Sequence, residues 1–250
     1  MRKALCYAVA LCSMATAASA VTLTVTELPF TAAAWNSFNS ANTTVVEDFE
    51  QLGADLGGAS GAEYLGIFET AVGDFSRNGG QGGSGGTVNN ASFTNTGEGV
   101  ALRSGNVFGR TDTTSTLQSP ATGNWFFDSN DVTDVKWDID VGSSFNKLIF
   151  SLTDAADQGA RFSICLDGAS TCDAYELTSQ SPSSKRLVEV DFGGNVSGAT
   201  LLFQSNPRND GYGIDDIAVS AVPLPAGVFL LGAGIAGFGV MRRKQKARQG

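Results

Sequence analysis

Histidine is absent from this chain of 250 residues. Its absence excludes a Ser-His-Asp or Cys-His nucleophile, a histidine-ligated zinc or haem, and a histidine pH switch. Charge is also scarce: 16% of residues are Asp, Glu, Lys or Arg, against roughly 25% in ordinary soluble domains. Of the 16 basic residues, seven sit at the ends (Arg2, Lys3, Arg242, Arg243, Lys244, Lys246 and Arg248), which leaves nine against 25 acidic ones and a charge of −16 on the body. Nucleic acid is thereby excluded as a partner, because phosphate contacts need Lys and Arg. Cations and neutral sugars fit such a surface better. No amphipathic helix of convincing length is visible. Glycine, in contrast, is plentiful at 31 residues, well above the usual share of roughly 7%.

The two ends read as addresses. Met1-Arg2-Lys3 is followed by a short, largely apolar run from Ala4 to Leu11 and by Ala18-Ser19-Ala20. A basic start, a short apolar stretch and a small-x-small site define a secretory signal peptide over residues 1–20, with Val21 as the first mature residue. The apolar run is too short to span a bilayer. At the other end, Leu224 to Met241 is a run of 18 uncharged residues followed by the basic cluster. As a helix it is about 27 Å long, enough for a thin hydrocarbon core. The positive-inside rule keeps the basic cluster cytoplasmic and puts the body outside the inner membrane. Pro225 suits the start of such a helix, where its missing N–H costs nothing.

The sorting motif is Val222-Pro223-Leu224-Pro225-Ala226. With the glycine-rich span and the Arg-Arg-Lys stop that follow in order, residues 222–250 resemble the PEP-CTERM sorting signal of Gram-negative bacteria, in its Val-Pro-Leu-Pro-Ala variant. That resemblance implies recognition by an exosortase-type membrane protease, cleavage near the motif, and display at the cell surface or in the extracellular matrix. It carries no information about the body, residues 21–221.

Within the body two cysteines remain, Cys165 and Cys172. An even pair in an exported chain argues for a disulfide, here across the end of a hairpin turning at Asp167-Gly168. The dominant pattern is period two. Val135, Trp137, Ile139 and Val141 share one face, and Leu148, Phe150 and Leu152 repeat the pattern. Phe162 and Ile164, then Val188, Val190 and Phe192, then Leu201 and Phe203 continue it. Alternating β-branched and aromatic residues between turn signals mean half-buried strands. In the first half, strands are expected at Val21–Thr26, Val45–Phe49, Tyr64–Thr70, Ala91–Asn95 and Val100–Arg103. The glycine-rich tract at 79–86 lacks the Gly-Lys-Ser/Thr of a phosphate loop and reads as a surface loop. The expected fold is all-β: one antiparallel, jelly-roll-like β-sandwich, plus the signal peptide and one C-terminal transmembrane helix.

Two acidic clusters stand out, Glu47-Asp48-Phe49-Glu50 early and Asp215-Asp216 late. In many jelly rolls the first and last strands pair, which would bring both clusters to one end. Asp215-Asp216 also breaks the alternation between Ile214 and Ile217, the mark of a β-bulge or of an acid facing inward. A buried carboxylate needs a partner, and a structural Ca²⁺ held by some of Glu47, Asp48, Glu50, Asp215 and Asp216 would serve. The bland alternative is that these acids cap turns and keep the surface soluble. Asp48-Phe49-Glu50 and Gly213-Ile214-Asp215-Asp216-Ile217 resemble the ends of MAM-type extracellular jelly rolls, although the MAM cysteine pattern is missing. Trp125, in a run of three aromatics, and Tyr212, near a loop, are candidate sugar contacts, with core packing as the alternative. No sequence context singles out a glycosidase carboxylate pair. The sequence therefore reads as an exported, non-catalytic surface or matrix protein that binds exopolysaccharide or matrix partners. A ligand-free coat protein and a carbohydrate-active enzyme are the alternatives.

Overall fold

The computed structural model describes residues 22–42, 44–83, 96–118, 123–155, 161–167, 171–178, 182–205 and 211–221. The expected signal peptide at 1–20, the expected sorting tail at 222–250, part of the glycine-rich tract and the strand expected at Ala91–Asn95 lie outside them. Among the described residues no helix is long and apolar enough to cross a membrane.

In chain order the elements are β1 (Thr24–Leu28), α1 (Ala32–Ala41), β2 (Thr44–Glu47), α2 (Glu50–Asp55), β3 (Ala62–Tyr64), β4 (Phe68–Thr70), β5 (Gly73–Arg77), β6 (Val100–Ser104), β7 (Asn106–Val107) and β8 (Arg110–Thr111). Then come α3 (Thr114–Leu117), β9 (Trp125–Asp128), β10 (Asp134–Ile139), β11 (Phe145–Thr153), β12 (Arg161–Leu166), β13 (Asp173–Glu176), β14 (Lys185–Val196), β15 (Ala199–Gln204) and β16 (Gly213–Ala221). The larger sheet runs β1-β14-β11-β16-β9-β6-β3, with β2 also paired to β16. The smaller runs β13-β12-β15-β10-β5-β4. The pairings are antiparallel. The expected antiparallel sandwich is therefore present.

The smaller sheet shows the alternation most clearly. Along β10 burial alternates residue by residue, because Val135, Trp137 and Ile139 face the core and their neighbours face water. Aromatic rings fill the space between the sheets. Phe75 stacks on Trp137 at 5.2 Å between centroids and meets Phe127 at 4.5 Å. Phe150 contacts Phe203 edge-on at 5.7 Å. The Trp137 indole N–H donates to the Val72 carbonyl, so its one polar atom is satisfied in the core.

The larger sheet is covered on both faces. Leu148, Phe150 and Leu152 of β11 join the inter-sheet core, while Ile149 joins a second cluster with Trp35, Phe38, Leu117, Leu187 and Ala218. That second cluster lies under α1 and α3, which form a cap on the outer face. Doubly covered strands lose the clean alternation of half-buried ones. Helix α1 corrects the expectation that no helix of convincing length would occur. Thr31 caps it, accepting from the Ala34 N–H at 3.3 Å. Only Trp35 and Phe38, one turn apart, are buried along it, which is too few positions to show a period.

Two strands differ from expectation. Tyr64–Thr70 is not one strand. Its first residue ends β3 in the larger sheet, and Phe68–Thr70 forms β4 in the smaller. The chain crosses between sheets at Leu65-Gly66-Ile67, leaving Leu65 and Ile67 exposed. The expected strand Val45–Phe49 ends at Glu47, and Phe49, at φ 59°, instead opens α2. Cys165 and Cys172 form the disulfide, which closes the β12–β13 hairpin.

Candidate functional site: an acidic junction at a strand fork

The last strand changes partner midway. Along one side β16 pairs with β11. On its other side, Gly213 and Ile214 face β9, whereas Ile217 to Ser220 face β2. Asp215 and Asp216 fall in the gap between those partners. There the register with β11 slips between Ile149 and Ser151, and Asp216 takes the left-handed φ of 45°. This is the bulge that the broken alternation implied. The early acidic cluster pairs at the same place, because Glu47 of β2 lies opposite Ile217. The strand that brings it there is the second, since β1 pairs with β14.

Asp215 and Asp216 are 1% and 0% exposed, covered by the turn entering α3. Asp215 Oδ2 accepts from the Thr113 N–H at 2.6 Å, and Asp215 Oδ1 from the Asp216 N–H at 2.7 Å. Asp216 Oδ1 accepts from Gln118 Nε2 at 2.5 Å and from Thr114 Oγ1 at 3.2 Å. Thr113 Oγ1 has one proton but three acceptors around it: Asp216 Oδ2 at 2.5 Å, Ser151 Oγ at 2.6 Å and Asp215 Oδ2 at 3.2 Å. The Ser151 hydroxyl is itself within donating distance of the Asp215 carbonyl, at 2.8 Å. With both carboxylates ionised, the network lacks a positive centre between close oxygens. A proton or a cation removes the deficit.

Electrostatics agree. Burial pushes Asp215 well above the usual carboxylate range, and the adjacent Asp216 charge adds to this. Burial likewise raises Asp216 to about 6, against the pull of Thr113, Gln118 and Thr114, with the Asp48 charge pushing the same way as burial. Glu50 is also raised, first by burial and then by Asp48 and Asp112, although the N–H groups of Trp125 and Asn124 both donate to its Oε1 at 2.7 Å. Among the described residues no ion pair reaches Glu47, Asp48, Glu50, Asp112, Asp215 or Asp216. Two of the few body bases are engaged elsewhere, Arg103 and Arg110 on Asp128 at 2.7 and 3.1 Å.

The five predicted acids thus share one end of the sandwich, but in different roles. Glu47 braces two turns: Oε1 accepts from the Phe49 N–H at 2.8 Å and Oε2 from the Ala71 N–H at 2.9 Å. Asp48 Oδ1 accepts from the Glu50 N–H at 3.2 Å. Glu50 holds the start of β9. Only Asp215 and Asp216 form the sealed pair. Among the described residues no three acidic or thiol side chains are arranged to hold a metal ion as they stand. Thr113, Thr114, Gln118 and Ser151 were not anticipated. The only trace of Thr113 and Thr114 in the sequence is the Thr/Ser run after Asp112, and Gln118 and Ser151 left none.

Trp125 and Tyr212 lie elsewhere than a sugar platform requires. Trp125 is 8% exposed and packs over Gly53, and Tyr212 is 2% exposed and packs 5.9 Å from Phe203. Neither offers a ring face to solvent, because both belong to the inter-sheet core.

No protein-family model and no curated protein sequence matches the chain. Several solved structures are distantly similar. One is the module TmCBM61 in complex with β-1,4-galactotriose, 10% identical with a TM-score of 0.33 over 49% of this chain and 82% of that one. Another is the carbohydrate-binding module CBM6cm-2 from Cellvibrio mixtus lichenase 5A in complex with cellotriose, 10% identical with a TM-score of 0.26 over 42% and 84%. A third is the K1 cleaved adhesin domain of Lys-gingipain from Porphyromonas gingivalis W83, 11% identical with a TM-score of 0.28 over 72% and 99%.

Proposed function

We propose that this chain is an exported, non-catalytic β-sandwich protein, sorted by an exosortase-type membrane protease and displayed at the cell surface or in the extracellular matrix. There it binds polysaccharide or matrix partners. The observation that carries the sorting is the ordered tail, Val222-Pro223-Leu224-Pro225-Ala226, an apolar span and a basic stop. The Cys165–Cys172 disulfide supports an oxidising destination. The non-catalytic reading is supported by the chain's lack of histidine and by the sealing of its most perturbed carboxylates beneath α3, away from any substrate.

The acidic junction has a structural part in this reading. Its donors are hard oxygens, from carboxylates and threonine hydroxyls, with no base beside them, and this chemistry suits Ca²⁺. Asp215 and Asp216 would hold the ion, with Asp48 and Glu50 on its outer side, and the ion would lock the β2–β16–α3 junction.

Two experiments test the proposal. Replacing Val222 to Ala226 with polar residues should leave unprocessed protein in the inner membrane, and normal release would refute the sorting. Thermal melting of the full chain in calcium and in EDTA at neutral pH tests the ion. The expected result is a higher melting temperature in calcium, and identical melting in both would refute the ion site.

A further inference from the structure

We propose that the cleft between α1, β2 and the end of α3 binds a neutral sugar residue of a polysaccharide, an inference that rests on the polysaccharide-binding reading and gives it a place. The cleft measures about 330 Å³ and is lined by Trp35, Asn36, Asn39, Thr44, Val46 and Gln118. That volume falls at the lower end of the range for small-molecule sites. None of these side chains is ionisable. Two other open clefts of similar size have charged walls, Lys147 and Glu189 in one and Asp134 and Arg161 in the other. In a body so acidic, an uncharged wall selects an uncharged ligand. Amides and a hydroxyl set around apolar surface match a ring whose edge carries hydroxyls and whose faces carry C–H groups.

The polar groups are pre-set, which lowers the ordering cost of binding. Asn39 is held at both ends, donating from Nδ2 to the Trp35 carbonyl at 3.2 Å and accepting from Thr44 Oγ1 at 3.0 Å. Gln118 is oriented by the buried junction. Its Nε2 donates to Asp216 Oδ1, so its Oε1 is the end left to accept from a ligand hydroxyl. Asn36 is exposed on the rim of α1. Val46, 40% exposed, is a large apolar side chain presented to solvent here. It supplies an apolar contact, which the buried rings of Trp125 and Tyr212 do not.

Affinity electrophoresis of the full chain tests this, in a non-ionic detergent without a sugar headgroup. The gels contain dextran, galactan or mannan as neutral polymers, or polygalacturonate as an acidic one. The expected result is retardation by at least one neutral polymer and none by polygalacturonate. Asn36→Ala, at an exposed position, should weaken that retardation about threefold to tenfold, and Val46→Arg, which fills the cleft, about tenfold or more. Mobility in polymer-free gels and circular dichroism report whether each variant is folded. Undiminished binding by folded Asn36→Ala and Val46→Arg would move the site elsewhere while leaving polysaccharide binding intact. Retardation by polygalacturonate alone would overturn the neutral ligand. No retardation by any polymer would overturn both the site and the reading on which it rests.

Discussion

Replacing Asp216 by asparagine should stabilise the protein at neutral pH in the absence of calcium. Asp216 ionises at about 6 in the folded chain instead of near 3.8. The native state therefore holds its proton more tightly than the unfolded chain does. The stability that this proton confers is complete below about 3.8, falls as pH rises through about 6, and is gone above that. The difference corresponds to about 3 kcal/mol. Asp216→Asn removes the charge and keeps the shape. Asparagine tolerates the left-handed backbone at this position better than most residues. Its carboxamide nitrogen would donate to Thr113 Oγ1, freeing the threonine proton for Ser151 and repairing the deficit between the close oxygens. The expected gain is at most about 3 kcal/mol, or roughly 6–12 °C in melting temperature for a chain of this size. The assay is thermal unfolding of wild type and variant in EDTA from pH 4.5 to 7.5, repeated in calcium at pH 7.5. Wild type should lose stability as pH rises in EDTA and regain it with calcium, whereas the variant, in which the burial shifts of Asp215 and Glu50 remain, should fall less steeply with pH and gain less from calcium. A wild-type profile flat across that range, with a variant no more stable at pH 7.5, would refute the reasoning.

Three further perturbations probe the scaffold. A Cβ on Gly53 would lie 2.1 Å from the Trp125 ring, so Gly53→Ala should cost about 1–3 kcal/mol in urea denaturation, as overpacking does; an unchanged midpoint would show that the ring moves freely. Phe108 opens the β7–β8 turn at φ 53° with Gly109 at 99°, and it is 63% exposed. Turns of this kind favour Asn-Gly, so Phe108→Asn should gain about 0.5–1 kcal/mol, and a loss in the same assay would mean that the ring is held by a contact. The Cys165→Ser/Cys172→Ser double variant should lose about 2 kcal/mol through its short loop, measured as the difference from wild type with and without reductant.

The smaller sheet could be read from the sequence because water lies on one of its faces. Val135, Trp137 and Ile139, or Leu201 and Phe203, alternate with polar neighbours for that reason. In the larger sheet only half of each central strand's role was legible. The pattern Leu148, Phe150, Leu152 marked the inner face, but Ile149 and Leu187 also serve an outer core beneath α1. That helix buries two side chains, and no period emerges from two. In Trp125-Phe126-Phe127 one ring had to point away from the main core, and that ring, Phe126, is fully buried there instead of meeting water. At the junction, the acids and the bulge were legible from local pattern. Their partners Thr113, Thr114 and Gln118 lie about a hundred residues away in the chain and share no motif with Asp216. The cleft beside them was invisible for the same reason, since its walls come from α1, β2 and α3.

The position of β16 has a mechanical consequence. The strand lies inside the larger sheet, bonded to β11 on one side and to β9 and then β2 on the other. Tension applied to the chain beyond Ala221 runs along this strand's own axis. Its ladder bonds on both flanks then bear load together in shear instead of parting one at a time, as they would on an edge strand peeled from its neighbour. The bulge at Asp215-Asp216 interrupts that strand's ladder partway along, so under such tension the load would pass across two buried carboxylates.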